Sequence, residues 1–241
     1  MTGATGVAAT RQNQIVTTIT EVHLQLAAGE SLILRAFADK KVAGQAWNYW
    51  QTNGAPTEIT GNWNVKFISG GPTLPADSQI TKLASWTTFA DTNTQAFAGT
   101  AKYETTFDAP ERRSPDRRDS VNATNVPNRS SALQTFELNL GDVRQSARVR
   151  VNGKDYGTLI TPPFRVVVEN LKPTGNILEV EVTSVVANRI RDLDRRGVKW
   201  KTFNDINIVN LNYKPFDASD WPLTDCGLLG PVTLTPVTAE K

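Results

Sequence analysis

Short runs in which apolar and polar residues alternate occupy most of the chain, and this period of two restricts its fold more than any other feature. The runs are rich in β-branched residues and are bounded by Gly, Pro, Asn and Asp, which is typical of half-buried strands. They comprise residues 15–26, 31–37, 63–68, 96–107, 133–140, 147–151, 164–168, 177–183 and 228–237. Many short strands separated by turn signals predict an all-β sandwich of the jelly-roll type. A helical turn or two is expected only between Val186 and Arg196.

Two dipeptides predict where consecutive strands turn. Asn152-Gly153 separates the run ARVRV from KDYGTL. Because Asn and Gly both tolerate the positive φ angles of a type I′ turn, a tight hairpin is expected there. Gly175-Asn176 separates two further strands in the same way.

The residues able to carry metal or nucleophilic chemistry are few, and this excludes several functions. The 241 residues include one histidine, His23, and one cysteine, Cys226. One histidine excludes clustered-histidine zinc sites and the paired histidines of metalloproteases, and a Ser-His-Asp triad would need a histidine that lies in a strand-like run. One cysteine excludes an intrachain disulfide, so the sequence does not indicate a redox compartment. Cys226 is expected to be a small buried apolar side chain.

Charge and hydropathy argue against a polyanionic or a membrane partner. Lys and Arg number 26 and Asp and Glu 24, a formal net charge of +2, so no nucleic-acid partner is expected. No run approaches the roughly 18 apolar residues of a membrane-spanning helix, so no membrane partner is expected. The start, MTGATGVAATRQNQ, lacks the basic region and apolar core of a secretory signal. The sequence does not indicate a cellular location. An extracellular or periplasmic location of a longer parent protein is one alternative.

Two long connections interrupt the strand pattern. Residues 108–131 are polar and contain Pro, and they include glycosylation patterns at Asn122 and Asn128, so they are expected to form a surface insertion. Residues 188–227 are far longer than a usual loop and are rich in aromatic and charged residues. The second connection is therefore the segment where a functional site is expected.

The order of motifs after Ala147 resembles known carbohydrate-active enzymes. The segment ARVRVNGKDYGTLITPPFRVVVENLKPTGNILEVEVTS resembles the sugar-binding jelly roll of glycoside hydrolase family 2. Neighbouring motifs narrow the likeness to the C-terminal region of glycoside hydrolase family 106, the α-L-rhamnosidases. These motifs are GNWNVKFISGGPTLP, LASWT, FAGTAKYETTF, LGDVRQSARVRVNG, ANRIRDLDRRGVKWKTFNDIN and GLLGPVTL. The resemblance implies a galactose-binding-like β-sandwich over residues 61–241, preceded by a β-rich segment, residues 1–60, left from a preceding β-domain.

The catalytic part of that family has no counterpart in the chain. Family 106 enzymes carry their catalytic carboxylates in an N-terminal (β/α)8 barrel, which alone takes about 250 residues. No position here matches the catalytic motif, so no catalytic residue is assigned and no cofactor is expected. The resemblance implies a non-catalytic carbohydrate-binding or accessory module for rhamnose-containing plant or microbial polysaccharides, with the parent enzyme's catalytic domain as a further partner. The alternatives are a glycosidase, or a fragment of one, with acids in residues 188–227, and a structural domain that buttresses a barrel.

A sugar presents apolar ring faces and many hydroxyls, so its site needs aromatic side chains beside charged ones. The long connection supplies both types. The predicted carbohydrate-binding residues are Trp200 as the stacking ring, with Arg191, Asp192, Arg195, Lys199, Tyr213 and Trp221. In the competing structural interpretation, Trp200 and Trp221 are buried anchors, and Asp192 pairs with Arg196 along a helical turn.

Three other interpretations remain open at this stage. Trp47, Tyr49 and Trp50 form a second aromatic cluster, either a binding platform or, as preferred, a patch that packs on other parts of a parent protein. Pairs of loop acids are conceivable for glycosidase chemistry: Asp192 with Asp194, Asp205 with Asp217, and Asp220 with Asp225. Calcium is the one metal that loop acids would suit, although no EF-hand spacing supports it. Trp63 and Trp86 are expected in the core.

Overall fold

The computed structural model describes seven stretches of the chain: residues 4–6, 19–22, 24–26, 28–37, 48–110, 135–202 and 214–240. His23, Trp47 and Tyr213 lie outside these residues, as do Asp205 and the two asparagines of the glycosylation patterns. Within them, no helix is long and apolar enough to cross a membrane.

Strands make up most of the regular secondary structure of the described residues. The strands are β1 Ala4–Gly6, β2 Ile19–Glu21, β3 Trp50–Thr52, β4 Thr57–Glu58, β5 Trp63–Gly71, β6 Ser78–Ile80, β7 Ala98–Phe107, β8 Thr135–Asn139, β9 Asp142–Arg144, β10 Ser146–Val151, β11 Lys154–Leu159, β12 Arg165–Glu169, β13 Asn176–Thr183, β14 Gly227–Gly230 and β15 Thr233–Ala239. One α-helix, α1, spans Ala187–Arg195, and two short 3-10 helices span Trp86–Thr88 and Thr92–Gln95. The prediction of an all-β sandwich with one helical interruption is confirmed.

Two antiparallel sheets form the sandwich. One has six strands in the order β11-β10-β13-β7-β5-β6, and the other has the order β12-β8-β15-β3, with β4 also paired to β15. Two small sheets, β1-β2 and β9-β14, complete the architecture. The short strands β3 and β4 lie before residue 61 but pair with β15 near the end of the chain, which ties this stretch to the sandwich.

The alternation read from the sequence decides which side chains form the core. In β13 every second residue from Asn176 to Val182 is buried, and β5 and β7 show the same period facing the other sheet. The buried side chains of both sheets form one cluster. Trp63 and Trp86 both belong to it, as predicted, although Trp86 lies in a 3-10 helix rather than in a strand.

One predicted strand is wrong. Residues 31–37 contain no strand, and the Ile33 side chain is 94% exposed. A strand needs a partner for its backbone groups, and among the described residues none pairs with this stretch. A polar contact fixes the stretch instead, because the Arg165 guanidinium binds both Glu30 and Glu137, at 2.7 and 2.9 Å.

The predicted Asn-Gly hairpin is confirmed. Val151 pairs with Lys154, and Asn152 and Gly153 between them have φ angles of 51° and 78°. A Cβ at Gly153 would meet no atom within 4 Å, so only its backbone conformation restricts the residue.

Replacing Gly153 with alanine is therefore expected to lower the free energy of unfolding by about 1–2 kcal/mol, the cost of a left-handed conformation for an L-residue. Urea unfolding would measure it. The matched control is Gly71→Ala, since Gly71 also faces open space but has no positive φ. Equal losses in the two variants would contradict the conformational explanation.

Candidate functional site

The long connection begins in α1, and both of its ends are fixed to the sandwich. The Asn188 side chain is buried and forms two hydrogen bonds with Thr224: its Nδ2 donates to the carbonyl oxygen at 2.7 Å, and its Oδ1 accepts from the amide at 2.8 Å. The Cys226 amide then donates to Ser85 Oγ at 3.0 Å, next to Trp86 in the core. The residues between these anchors are thus presented from a rigid base.

Asp192 is held by two arginines on the helix. Its carboxylate pairs with Arg196 at 2.7 Å, one helical turn away as expected, and with Arg189 at 3.1 Å. Arg191, by contrast, donates from Nε to the carbonyl oxygen of Trp221 and so fixes the far side of the connection.

Asp194 organises the segment that follows the helix. One of its oxygens accepts from Trp200 Nε1 at 2.7 Å and lies 3.1 Å from Lys201 Nζ, and the other accepts from the Ala218 amide at 2.8 Å. Burial of this carboxylate, which is 7% exposed, opposes its ionisation, but these three donors prevail and the pKa of Asp194 lies below its usual value. One ionised group therefore joins residues that are 24 positions apart in the sequence.

Two aromatic rings lie close to the Lys201 ammonium group. Nζ lies 5.4 Å from the ring centroid of Trp200 and 5.2 Å from that of Phe216, and it donates to the Phe216 carbonyl oxygen. The Phe216 ring meets Trp200 and Trp221 edge to face, with centroids 6.3 and 5.5 Å apart. Such geometry combines cation–π attraction with preferred ring packing.

A groove of about 710 Å³ opens beside this cluster. Its lining residues are Asp194, Gly197, Val198, Lys199, Trp200, Lys201, Lys214, Pro215, Phe216 and Asp217. The volume lies in the range of small-molecule sites. The lining combines two aromatic rings with lysines and carboxylates, which are the chemical types that ring faces and hydroxyls need. We call this the connection groove.

The predicted site residues take different places around the connection groove. Trp200 and Lys199 line it, whereas Trp221 lies one ring further out and Arg195 is exposed on the last turn of α1. Asp192 and Arg191 are engaged in the contacts described above and are absent from the lining. The prediction for Tyr213 concerns a residue that the structure does not describe.

Residues absent from the predicted site do most to shape it. From the sequence, Asp194 is only one acid of a conceivable pair with Asp192, and neither Lys201 nor Phe216 is singled out. Their role depends on contacts with residues 215–218, which no local spacing indicates. The sequence indicated the site only through the length and the mixed composition of the whole connection.

The remaining chemistry nearby is limited. Cys226 is buried, as expected, and its burial raises the pKa of the thiol to about 11. Among the residues that the structure describes, no group of three or more His, Cys, Asp or Glu side chains is placed to hold a metal ion. Of the second aromatic cluster, Tyr49 and Trp50 are half-buried, with Trp50 at the start of β3.

Comparison with known proteins places the chain among parts of glycosidases. No protein-family model matches it. A curated protein of Formosa agariphila, described as a "Putative beta-glucuronidase", is 32% identical over 204 residues, which are 77% of this chain and 16% of that protein. The chain thus spans about a sixth of the length of this relative.

One solved structure supports the assignment of the fold. A rhamnosidase from Novosphingobium sp. PP1Y superposes with a TM-score of 0.54 at 24% identity, covering 83% of this chain and 16% of that one. A family 2 β-galacturonidase from Eisenbergiella tayi covers 77% and 25% at 19% identity, with a TM-score of 0.45. The chain is a β-sandwich module related to glycoside hydrolases.

Proposed function

We propose that this chain is a non-catalytic carbohydrate-binding or accessory module that recognises rhamnose-containing polysaccharides through the connection groove. The observation that carries the proposal is the groove lining, in which Trp200 and Phe216 stand beside Lys199, Lys201 and Asp194. The aromatic rings offer apolar faces to a sugar ring, and the exposed ammonium group of Lys199 offers strong hydrogen bonds to its hydroxyls.

The rigidity of the groove also favours binding. Asp194, Lys201 and the two rings already hold one another in place before any ligand arrives. A site that is ordered in advance loses less conformational entropy when it binds. The charged groups that are engaged within the protein therefore act mainly by fixing the walls of the groove.

The relatives support a sugar ligand of this kind. The curated relative is described as acting on glucuronides, and the structural neighbour is a rhamnosidase. We further propose that the chain corresponds to the C-terminal region of a family 106 rhamnosidase, in which residues 1–60 remain from a preceding β-domain and residues 61–241 form the sugar-binding-like unit, with β3 and β4 of the first part joined to the sandwich. In this arrangement the module serves a catalytic domain of the parent enzyme, in an extracellular or periplasmic setting.

The two alternatives to this proposal are a structural domain that buttresses a barrel and a glycosidase. One observation favours a structural buttress: Asp194 and Lys201 form an ion pair with each other, and both form hydrogen bonds with nearby backbone groups. For a glycosidase in its own right, Asp194 does not suit the role of general acid, because that role needs a raised pKa and the pKa of Asp194 is lowered.

A blocking substitution would test the groove without removing any of its contacts. Val198 lines it and is 40% exposed, so Val198→Trp should fill the space at little cost to folding. We expect the variant to lose at least about tenfold in affinity for rhamnose-containing polysaccharides, roughly 1.4 kcal/mol, with an unchanged melting temperature. Affinity electrophoresis or titration calorimetry would measure the loss.

Val185→Trp is the matched control, because Val185, just before α1, is 39% exposed but does not line the groove. Equal affinities of the two variants would indicate that the ligand binds outside the connection groove. Absence of binding by the unmodified chain across a polysaccharide panel would contradict the proposal and favour the buttress. Hydrolysis of aryl α-L-rhamnosides by the chain would favour the enzyme.

A further inference from the structure

Positive charge is concentrated in the segment that forms one wall of the connection groove. Residues 189–201 contain six Arg and Lys side chains and two Asp, a surplus of four positive charges in thirteen residues. The whole chain has a net charge of only +2. The surplus is therefore local to this segment and is balanced elsewhere in the chain.

Both acids of the segment are occupied within the protein. Asp192 is bound by Arg189 and Arg196, and Asp194 is bound by Lys201, by an indole N–H and by a backbone amide. Neither carboxylate is left to neutralise the remaining cations of the segment.

Cationic side chains remain at the groove itself. Lys199 lines it, is exposed, and makes no ion pair with any described residue. Lys214 lines the opposite side, and Arg195 is exposed on the adjacent helical turn. Asp217 is the exposed acid of the lining, and hydrogen bonds from Ser219, first of all from its backbone amide, lower its pKa and keep it ionised. Among the described residues that line the groove, three lysines stand beside two acids, Asp194 and Asp217, which leaves a surplus of one positive charge.

We propose that the connection groove selects glycans that carry an anionic group, either the carboxylate of a uronic acid or a sulfate ester. This inference rests on the carbohydrate-binding role proposed above and names the class of glycan for the same groove. A lysine ammonium is a compact charge on a flexible stem, which suits an anionic substituent whose position varies along a polysaccharide. The rings of Trp200 and Phe216 then face the sugar ring, and Lys199 faces its anionic substituent.

The experiment compares matched polysaccharides with the intact chain. Rhamnogalacturonan is tested against the same polymer with its carboxyl groups reduced, and rhamnan sulfate against its desulfated form, so that all four contain rhamnose. We expect tighter binding to at least one native polymer than to its neutral form. The preference should shrink between 0.1 and 1 M salt, since the screening length falls from about 10 to about 3 Å.

Lys199→Gln is expected to weaken binding to the preferred anionic polymer by about two- to fivefold and to leave binding to its neutral form unchanged. The control, Lys82→Gln, removes the same charge at an exposed position outside the groove lining and should change neither. The polymer that shows the preference identifies carboxylate or sulfate as the recognised group.

Other outcomes overturn the inference in distinguishable ways. Equal binding to native and neutral polymers, with Lys199→Gln unchanged, would overturn the anionic preference and leave the proposed function intact. No binding to any of the four would overturn the proposed function as well. Tighter binding to a single-stranded oligonucleotide than to either native polymer would replace glycan selection by general polyanion binding.

Discussion

Replacing Trp86 with alanine is expected to lower the free energy of unfolding by about 3–5 kcal/mol, the largest loss expected from a single change in this chain. The Trp86 ring is fully buried and meets Phe67 and Phe97 edge to face, with centroids 5.6 and 5.8 Å apart. Its amide also donates to the carbonyl oxygen of Cys226 at 3.0 Å. The substitution leaves a cavity at the point where the long connection returns to the sandwich.

Urea unfolding followed by circular dichroism would measure the loss. Trp86→Phe keeps an aromatic ring in the same place and should cost less than half as much, because most of the buried volume remains. Trp221→Ala serves as the exposed control, since this ring is 40% exposed and contacts Phe216 at the rim. A small loss for Trp86→Ala, similar to that of the control, would contradict the assignment of Trp86 as a core residue.

The sandwich could be predicted from sequence because each strand carries its own signal. Alternation in β13 follows from the pleat, which sends successive side chains to opposite faces. The turn at Asn152-Gly153 follows from backbone conformations that few residues tolerate. Both signals are local, so they do not depend on knowing which strands are neighbours.

The failures concern features that depend on distant partners. Residues 31–37 alternate as a strand would, yet no described residues pair with them, and the Arg165–Glu30 contact that holds them involves residues 135 positions apart. Trp86 was correctly expected in the core, but its 3-10 helix is stabilised by a capping serine, Ser85, that strand patterns do not reveal.

The candidate site shows the same limit more strongly. The sequence indicated the connection that lines the candidate groove, and its Trp200, because length and composition are visible in a single chain. It could not indicate that Asp194 joins Trp200 to Ala218, because that depends on how the connection folds back on itself. Residues whose importance lies in long-range hydrogen bonds are the ones that sequence reasoning misses.

Replacing Asp194 with asparagine is the second change with a large expected effect, and it acts on the candidate site. The amide group presents a donor where the carboxylate accepted, so one of the three donors around it loses its partner, and Lys201 loses its counter-charge. Hydrogen bonds to charged groups contribute about 1.5–3 kcal/mol each. We expect the segment around residues 194–218 to open more readily by about 2–3 kcal/mol, while the sandwich keeps most of its stability.

Hydrogen exchange at the Ala218 amide reports this opening directly, because that amide donates to Asp194 and Ala218 is fully buried. Its exchange should accelerate by about 30- to 150-fold in the variant, as the expected free energy implies. Asp220→Asn, an exposed acid in the same connection, should leave the rate unchanged. Unchanged exchange in Asp194→Asn would show that the carboxylate does not hold the segment.

The dependence on pH supplies an independent check of the same carboxylate. Because the pKa of Asp194 in the folded chain lies below its usual value of 3.8, its stabilising contribution is complete above that value and is lost as the pH falls through the folded-state pKa. Protection of the Ala218 amide should therefore fall in the unmodified chain as the pH is lowered below about 4. The asparagine variant has no proton to take up at this position, so its protection should change less over the same range. If the two chains lost protection in parallel, another acid would control the opening, and Asp194 would not be the group that organises the connection groove.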